Sequence, residues 1–103
     1  PTAPPHELRC SGAGSTSLSV SWAPAPEDRG NAALLGYEVR YGVVDGGDGE
    51  FDSAQTLRLE PDAGQALLTG LRRWSLYRVT VAAIAAQGGG PESAAVRCRT
   101  DED

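Results

Sequence analysis

Hydrophobic and polar residues alternate one by one along much of this chain. The alternation is clear over residues 18–22, 37–41 and 77–81, and it is weaker at 57–59 and 96–98. A period of two over about five residues predicts a β-strand with one buried face. Clusters of Gly, Pro, Asp and Ser separate these segments and favour turns. We therefore predict seven strands, near residues 6–11, 16–23, 35–44, 53–60, 65–70, 76–86 and 92–100.

Seven short strands with a turn signal about every dozen residues predict an all-β fold, a seven-stranded antiparallel two-sheet sandwich of immunoglobulin-like architecture. The Ala-rich segment 82–86 continues an alternating β-branched run and precedes three glycines, so we do not expect a helix there. One face of each strand should supply the core. The predicted core residues are Leu8, Cys10, Leu18, Val20, Trp22, Tyr37, Val39, Tyr41, Leu57, Leu59, Leu68, Leu71, Tyr77, Val79, Val81 and Val96.

The chain of 103 residues has the length of one domain. We expect the domain to cover residues 6–100, with linkers at 1–5 and 101–103, because the first segment is rich in proline and the last is polar. Such ends suggest a piece of a larger protein. No apolar run reaches 18 residues, so we expect no direct membrane insertion.

Composition excludes several functions. The net charge of −5 argues against a nucleic-acid binder, which needs a basic surface. His6 is the only histidine and has no convincing nucleophile beside it, so we predict no enzyme, no metal site and no cofactor. The acidic segment 45–52 offers oxygen ligands for calcium, but its spacing does not match the twelve-residue calcium loop, and we interpret it as a turn.

Five segments, taken in order, resemble the fibronectin type III domain. They are the proline-rich start, LSVSW at 18–22, PAPEDRGNAALLGYEVRY at 24–41, LLTGLRRWSLYRVTVAA at 67–83 and GGGPES at 88–93. The resemblance covers nearly the whole chain. Residues 72–74, an arginine pair before a tryptophan, further resemble repeats of neural cell-adhesion molecules (Down syndrome cell adhesion molecule, sidekick and contactin-like proteins) and of receptor tyrosine phosphatase ectodomains.

The resemblance implies a role for several residues. Trp22 should fill the space between the sheets, and Leu71 to Tyr77 resembles the tyrosine corner, in which the phenol oxygen hydrogen-bonds back to the main chain. It also implies a non-catalytic spacer and protein-interaction module in the extracellular part of a single-pass or anchored plasma-membrane protein. Its partners would be neighbouring domains of the same chain and a protein at the cell surface. The alternative is an intracellular structural repeat of the muscle-filament type.

The state of Cys10 and Cys98 is open at this point. In the family's sandwich, the first and last strands run in the same direction along neighbouring edges. Both cysteines lie in the inward phase of these strands, so a disulfide is geometrically feasible. Two buried thiols that act as small hydrophobic side chains are the alternative, and most family members have no disulfide.

Two further features are candidates for interaction. Arg40, Arg78 and Arg97 occupy outward positions on strands that the family's fold places in one sheet, with Arg99 near them. This row could bind a sulfated glycan or a partner's carboxylates, or it could be a solvated face neutralised by Glu38 and other acids. Trp74, before the sixth strand, could anchor an interface or lie flat against one of the two arginines that precede it.

Overall fold

Eight β-strands form two antiparallel sheets in a computed structural model that describes residues 4–25, 33–44, 55–86 and 88–102. Strands β1, β2 and β5 form one sheet in that order. The other sheet has the order β4, β3, β6 and β7, and β8 also pairs with β6. The strands are β1 (His6–Gly14), β2 (Ser17–Ala23), β3 (Leu34–Val43), β4 (Gln55–Leu59), β5 (Gln65–Leu68), β6 (Leu76–Ala85), β7 (Gly88–Glu92) and β8 (Val96–Arg99).

This arrangement confirms the predicted two-sheet sandwich but corrects the number of strands from seven to eight. The predicted strand at 92–100 is divided, and the predicted turn at 88–91 belongs to β7. Gly88, with a φ of 131°, and Gly89 pair with the end of β6 because they have no side chains that oppose this path. The backbone N–H of Ser93 then donates to Val81 O at 2.8 Å, which holds the break between β7 and β8 against β6.

The core lies between the sheets and consists of the inward residues of alternating strands. Trp22 and Tyr37 meet there with ring centroids 5.6 Å apart and an interplanar angle of 58°. The Trp22 Nε1–H is buried and meets no hydrogen-bond acceptor within the described ranges. Of the predicted core, Leu18, Val20, Trp22, Tyr37, Val39, Tyr41, Leu68, Leu71, Tyr77, Val79 and Val81 are buried, whereas Leu8, Cys10, Leu57, Leu59 and Val96 are partly buried and pack against them.

The start of β3 passes close to the end of β4. A side-chain Cβ at Gly36 would overlap the carbonyl oxygen of Leu59. Glycine therefore allows the two strands to approach where any other residue would push them apart.

The described residues contain no helix that is long and apolar enough to cross a membrane. The residues next to the first and last strands are held against the sandwich. Pro5, just before β1, is buried, and the backbone N–H of Asp101, just after β8, donates to Gly14 O at 2.9 Å.

Candidate functional site

The turn at residues 71–75, here called the Trp74 turn, leads into β6 and is fixed to it by a tyrosine. The backbone N–H of Arg72 donates to the phenol oxygen of Tyr77 at 2.8 Å. Tyr77 itself is buried. This is the bond that the resemblance to a tyrosine corner implies, and it holds the turn at the point where the chain crosses between the sheets.

Thr100 fixes the same turn from the other side. Its side chain is fully buried; the hydroxyl donates to Arg72 O at 2.7 Å and accepts from Ser75 N at 2.9 Å. Its backbone N–H donates to Ser75 O at 3.0 Å. No local sequence signal points to this role, because the two main-chain groups that the hydroxyl binds lie 28 and 25 residues away in the chain.

Trp74 is presented to solvent by this fixed turn. Its side chain is 55% exposed, and its φ of 48° lies in the left-handed region, which non-glycine residues seldom adopt and which costs about 1–3 kcal/mol. The Arg99 guanidinium lies 5.1 Å from the ring centroid, and Arg99 Nη1 donates to Trp74 O at 3.3 Å. The cation over the ring therefore comes from β8, whereas the local sequence pointed only to the two arginines that precede Trp74 as the alternative to an interface anchor.

The three arginines of the predicted row lie on one face of the five-stranded sheet, here called the arginine face. Arg78 on β6 is directly opposite Arg97 on β8, whereas Arg40 on β3 is opposite Thr80, one outward position further along β6. Like charges directly opposite each other on neighbouring strands disfavour pairing. Because Arg78 and Arg97 are direct partners, two positively charged residues are neighbours on the arginine face, although the chain as a whole has a net charge of −5.

Two acidic side chains, Glu92 from β7 and Glu38 from β3, pair with arginines of this sheet. Glu92 Oε2 is 3.8 Å from Arg40 Nη1, and Glu92 Oε1 accepts from Thr80 Oγ1 at 2.6 Å. Glu38, the acid that the alternative interpretation named, lies 4.0 Å from Arg58 on β4. Both ion pairs involve exposed side chains, and pairs of this kind contribute little to stability.

Cys10 and Cys98 form a disulfide in the structure, the first of the two states that the sequence left open. Their Cα atoms are 5.9 Å apart, within the ordinary range for a bridge. Cys10 belongs to β1 and Cys98 to β8, so the bridge joins the two sheets at one edge of the sandwich. The proximity of these two strands is what the resemblance to the fibronectin type III domain implied.

The acidic segment that was considered for calcium, residues 45–52, lies outside the described residues. Within the described part of the chain, no group of three His, Cys, Asp or Glu side chains could hold a metal ion. His6, the only histidine, is exposed at the start of β1.

Comparison with known proteins gives relatives over the whole chain. The mouse and human forms of receptor-type tyrosine-protein phosphatase F are 42% identical to it over 103 residues. Cell adhesion molecule Dscam2 of Drosophila melanogaster is 34% identical over 108 residues, and human protein sidekick-1 is 36% identical over 96 residues, 93% of this chain. The chain spans only about 5% of the phosphatase and of Dscam2, and 4% of sidekick-1. These relatives agree with the expected location in the extracellular part of a membrane-anchored receptor or adhesion protein.

Solved structures support the same fold. The FN1–FN3 domains of chicken CNTN1 superpose with a TM-score of 0.84 over 99% of this chain and 33% of that one, at 24% identity. The FN5 domain of Drosophila Lar superposes with a TM-score of 0.77 over 98% of this chain and 100% of that one, at 26% identity. A family model described as the fibronectin type III domain matches residues 3–99. The chain therefore belongs to the fibronectin type III domain family.

Proposed function

We propose that this chain is a non-catalytic module that spaces and orients the extracellular part of a cell-surface receptor or adhesion protein and offers one face to a partner. The observation that carries the proposal is the match of the whole chain to short segments of a receptor-type phosphatase and of cell adhesion molecules. The disulfide agrees with an oxidising, extracellular environment. It disfavours the alternative of an intracellular structural repeat, where thiols stay reduced.

The absence of catalysis is part of this proposal. It rests on the match of residues 3–99 to the fibronectin type III domain, a non-catalytic fold, and on the sequence, which contains a single histidine and no phosphate-binding glycine loop followed by a helix. The phosphatase activity in the names of some relatives belongs to those proteins, of which this chain matches about 5%.

The cysteine state tests the extracellular location. We would secrete the protein from an oxidising compartment, denature it, alkylate it without reduction and measure its intact mass. A mass without alkylation means that Cys10 and Cys98 are bonded in the secreted protein. Two alkylated cysteines would mean that the secreted protein has two free thiols. The disulfide would then no longer support an extracellular location, and the intracellular alternative would be open again.

We propose the arginine face, together with Trp74, as the interaction surface. The Tyr77 and Thr100 bonds hold the Trp74 turn in one conformation, so little entropy would be lost when a partner binds it. Tryptophan and arginine are also among the residue types that contribute most of the binding free energy in protein interfaces. Arg78 and Arg97 are direct cross-strand partners, and a sulfated glycan is a ligand whose charges their guanidiniums would match.

Retention on immobilised heparin tests the glycan. The variant Arg78→Ala/Arg97→Ala should elute at lower salt than the unmodified protein, because two charges of the face are lost. The control Arg9→Glu lowers the net charge by the same two units at an exposed position on β1, which belongs to the other sheet. Equal elution of the two variants would show that only net charge matters and would refute the glycan site. Lack of retention of the unmodified protein would leave a protein with surface carboxylates as the partner to be tried next.

A further inference from the structure

The disulfide connects the first strand of the sandwich to the last. Cys10 lies in β1 and Cys98 in β8, with a sequence separation of 88 residues. The two strands belong to different sheets: β1 pairs with β2, and β8 pairs with β6. The bridge therefore makes a covalent connection between two strands that do not share a β-ladder.

The two strands run in the same direction. Cys10 is joined to Cys98, and further along both strands Gly14 O accepts from the N–H of Asp101 at 2.9 Å. Because residue numbers rise together on both sides, the chain enters β1 and leaves β8 at opposite ends of the sandwich. A pull on the two flanks of the domain therefore shears β1 and β8 past each other.

We propose that the Cys10–Cys98 bridge is a mechanical clamp that keeps residues 11–97 out of the path of mechanical tension. The proposal rests on the proposed place of the chain as one link in a longer receptor or adhesion protein, where a pull arrives through both flanks. With the bridge closed, tension passes from β1 through the two sulfur atoms to β8. Without it, the same tension must be borne by the hydrogen bonds and packing of the sandwich.

The length that the clamp protects is large. A fully extended chain spans about 3.3–3.6 Å per residue, so the 88-residue separation corresponds to roughly 300 Å of contour. In the folded domain, the Cα atoms of Cys10 and Cys98 are 5.9 Å apart. With the bridge closed, only residues before Cys10 and after Cys98 can add length. The domain is thus a link of nearly fixed length, and Trp74 and the arginine face lie inside the protected loop.

Single-molecule force spectroscopy tests the clamp. The complete chain would be placed between two handle domains and stretched at constant pulling speed. The bridged protein should give no unfolding step near 300 Å, whereas Cys10→Ala/Cys98→Ala should give one. Adding a dithiol reductant to the unmodified protein, which converts the bridge to two thiols, should produce the same step and does not depend on how well the variant folds.

Weakening of the core must be separated from loss of the bridge. Leu8→Ala is the matched control, because Leu8 packs against the core from the same strand as Cys10 but leaves the bridge intact. It should give no long step. A step near 300 Å in the bridged protein or in Leu8→Ala would refute the clamp. So would the absence of that step after reduction, because the sandwich would then bear the load without the bridge.

These results are independent of where the domain is located. If the protein secreted from cells carried two alkylated cysteines but the bridge formed in vitro gave the expected traces, the proposed extracellular function would fail while the clamp survived as a property of the fold. A closed bridge in the secreted protein together with a long step would refute the clamp alone.

Discussion

Thr100 offers a sharp test of how the Trp74 turn is held. Replacing it by Val keeps the shape of the side chain and removes the hydroxyl that donates to Arg72 O and accepts from Ser75 N. Each intramolecular hydrogen bond contributes a net ~0.5–1.5 kcal/mol. The hydroxyl is buried, but its partners belong to a turn that is partly exposed, so we expect Thr100→Val to lower the free energy of unfolding by about 2 kcal/mol.

Urea denaturation followed by tryptophan fluorescence measures this change. With an m-value of about 1–2 kcal/mol per M, a loss of 2 kcal/mol shifts the midpoint by about 1–2 M. Thr100→Ser is the control, since it keeps the hydroxyl and loses one methyl group, for which we expect about 1 kcal/mol. The role of the hydroxyl would be refuted if the free energy of unfolding of Thr100→Val lay within about 0.5 kcal/mol of that of the unmodified protein. It would also be refuted if Thr100→Ser were less stable than Thr100→Val, because packing rather than hydrogen bonding would then fix the turn.

The other stability predictions use the same urea denaturation, followed by circular dichroism for Trp22→Ala because this variant lacks the buried tryptophan. Trp22→Ala should lower the free energy of unfolding by about 3–5 kcal/mol, the usual range for truncating a buried aromatic side chain. A free energy of unfolding close to that of the unmodified protein would contradict the central place of this side chain in the core. Gly36→Ala should cost about 1–3 kcal/mol by forcing β3 from β4, and it should cost more than Gly70→Ala, where a Cβ meets no atom within 4 Å and only the φ of 68° is strained. Cys10→Ala/Cys98→Ala should lose about 4–5 kcal/mol by the loop-entropy argument, and a loss below about 1 kcal/mol would contradict it.

The architecture could be predicted from the sequence wherever side chains alternate. Strands such as β2, β3 and β6 each bury one face against the other sheet, and a period of two records this directly. β7 could not be found in this way, because its glycines have no side chains to alternate and resemble a turn. The division of the last predicted strand depends instead on hydrogen bonds to β6, such as that from Ser93 to Val81.

The candidate site was only partly predictable for a related reason. The sequence could assign Arg78 and Arg97 to the same face, because a strand's period of two fixes which side each residue occupies. It could not show that they are direct partners, since this depends on the register between β6 and β8. The same register brings Arg99 opposite Leu76 and over Trp74, and neither contact has a signal in local sequence.

The last strand also explains why the clamp, the aromatic contact and the turn occur together. Cys98, Arg99 and Thr100 are consecutive, and the alternation of a strand points the first and third inward and the second outward. The inward cysteine closes the bridge to β1, the outward arginine covers Trp74, and the inward threonine binds the turn that carries Trp74. Because the bridge ends at Cys98, Arg99 and Thr100 lie just outside the protected loop. A pull on the chain after β8 would therefore act first on the residues that hold the Trp74 turn, while the arginine face behind the bridge stays folded.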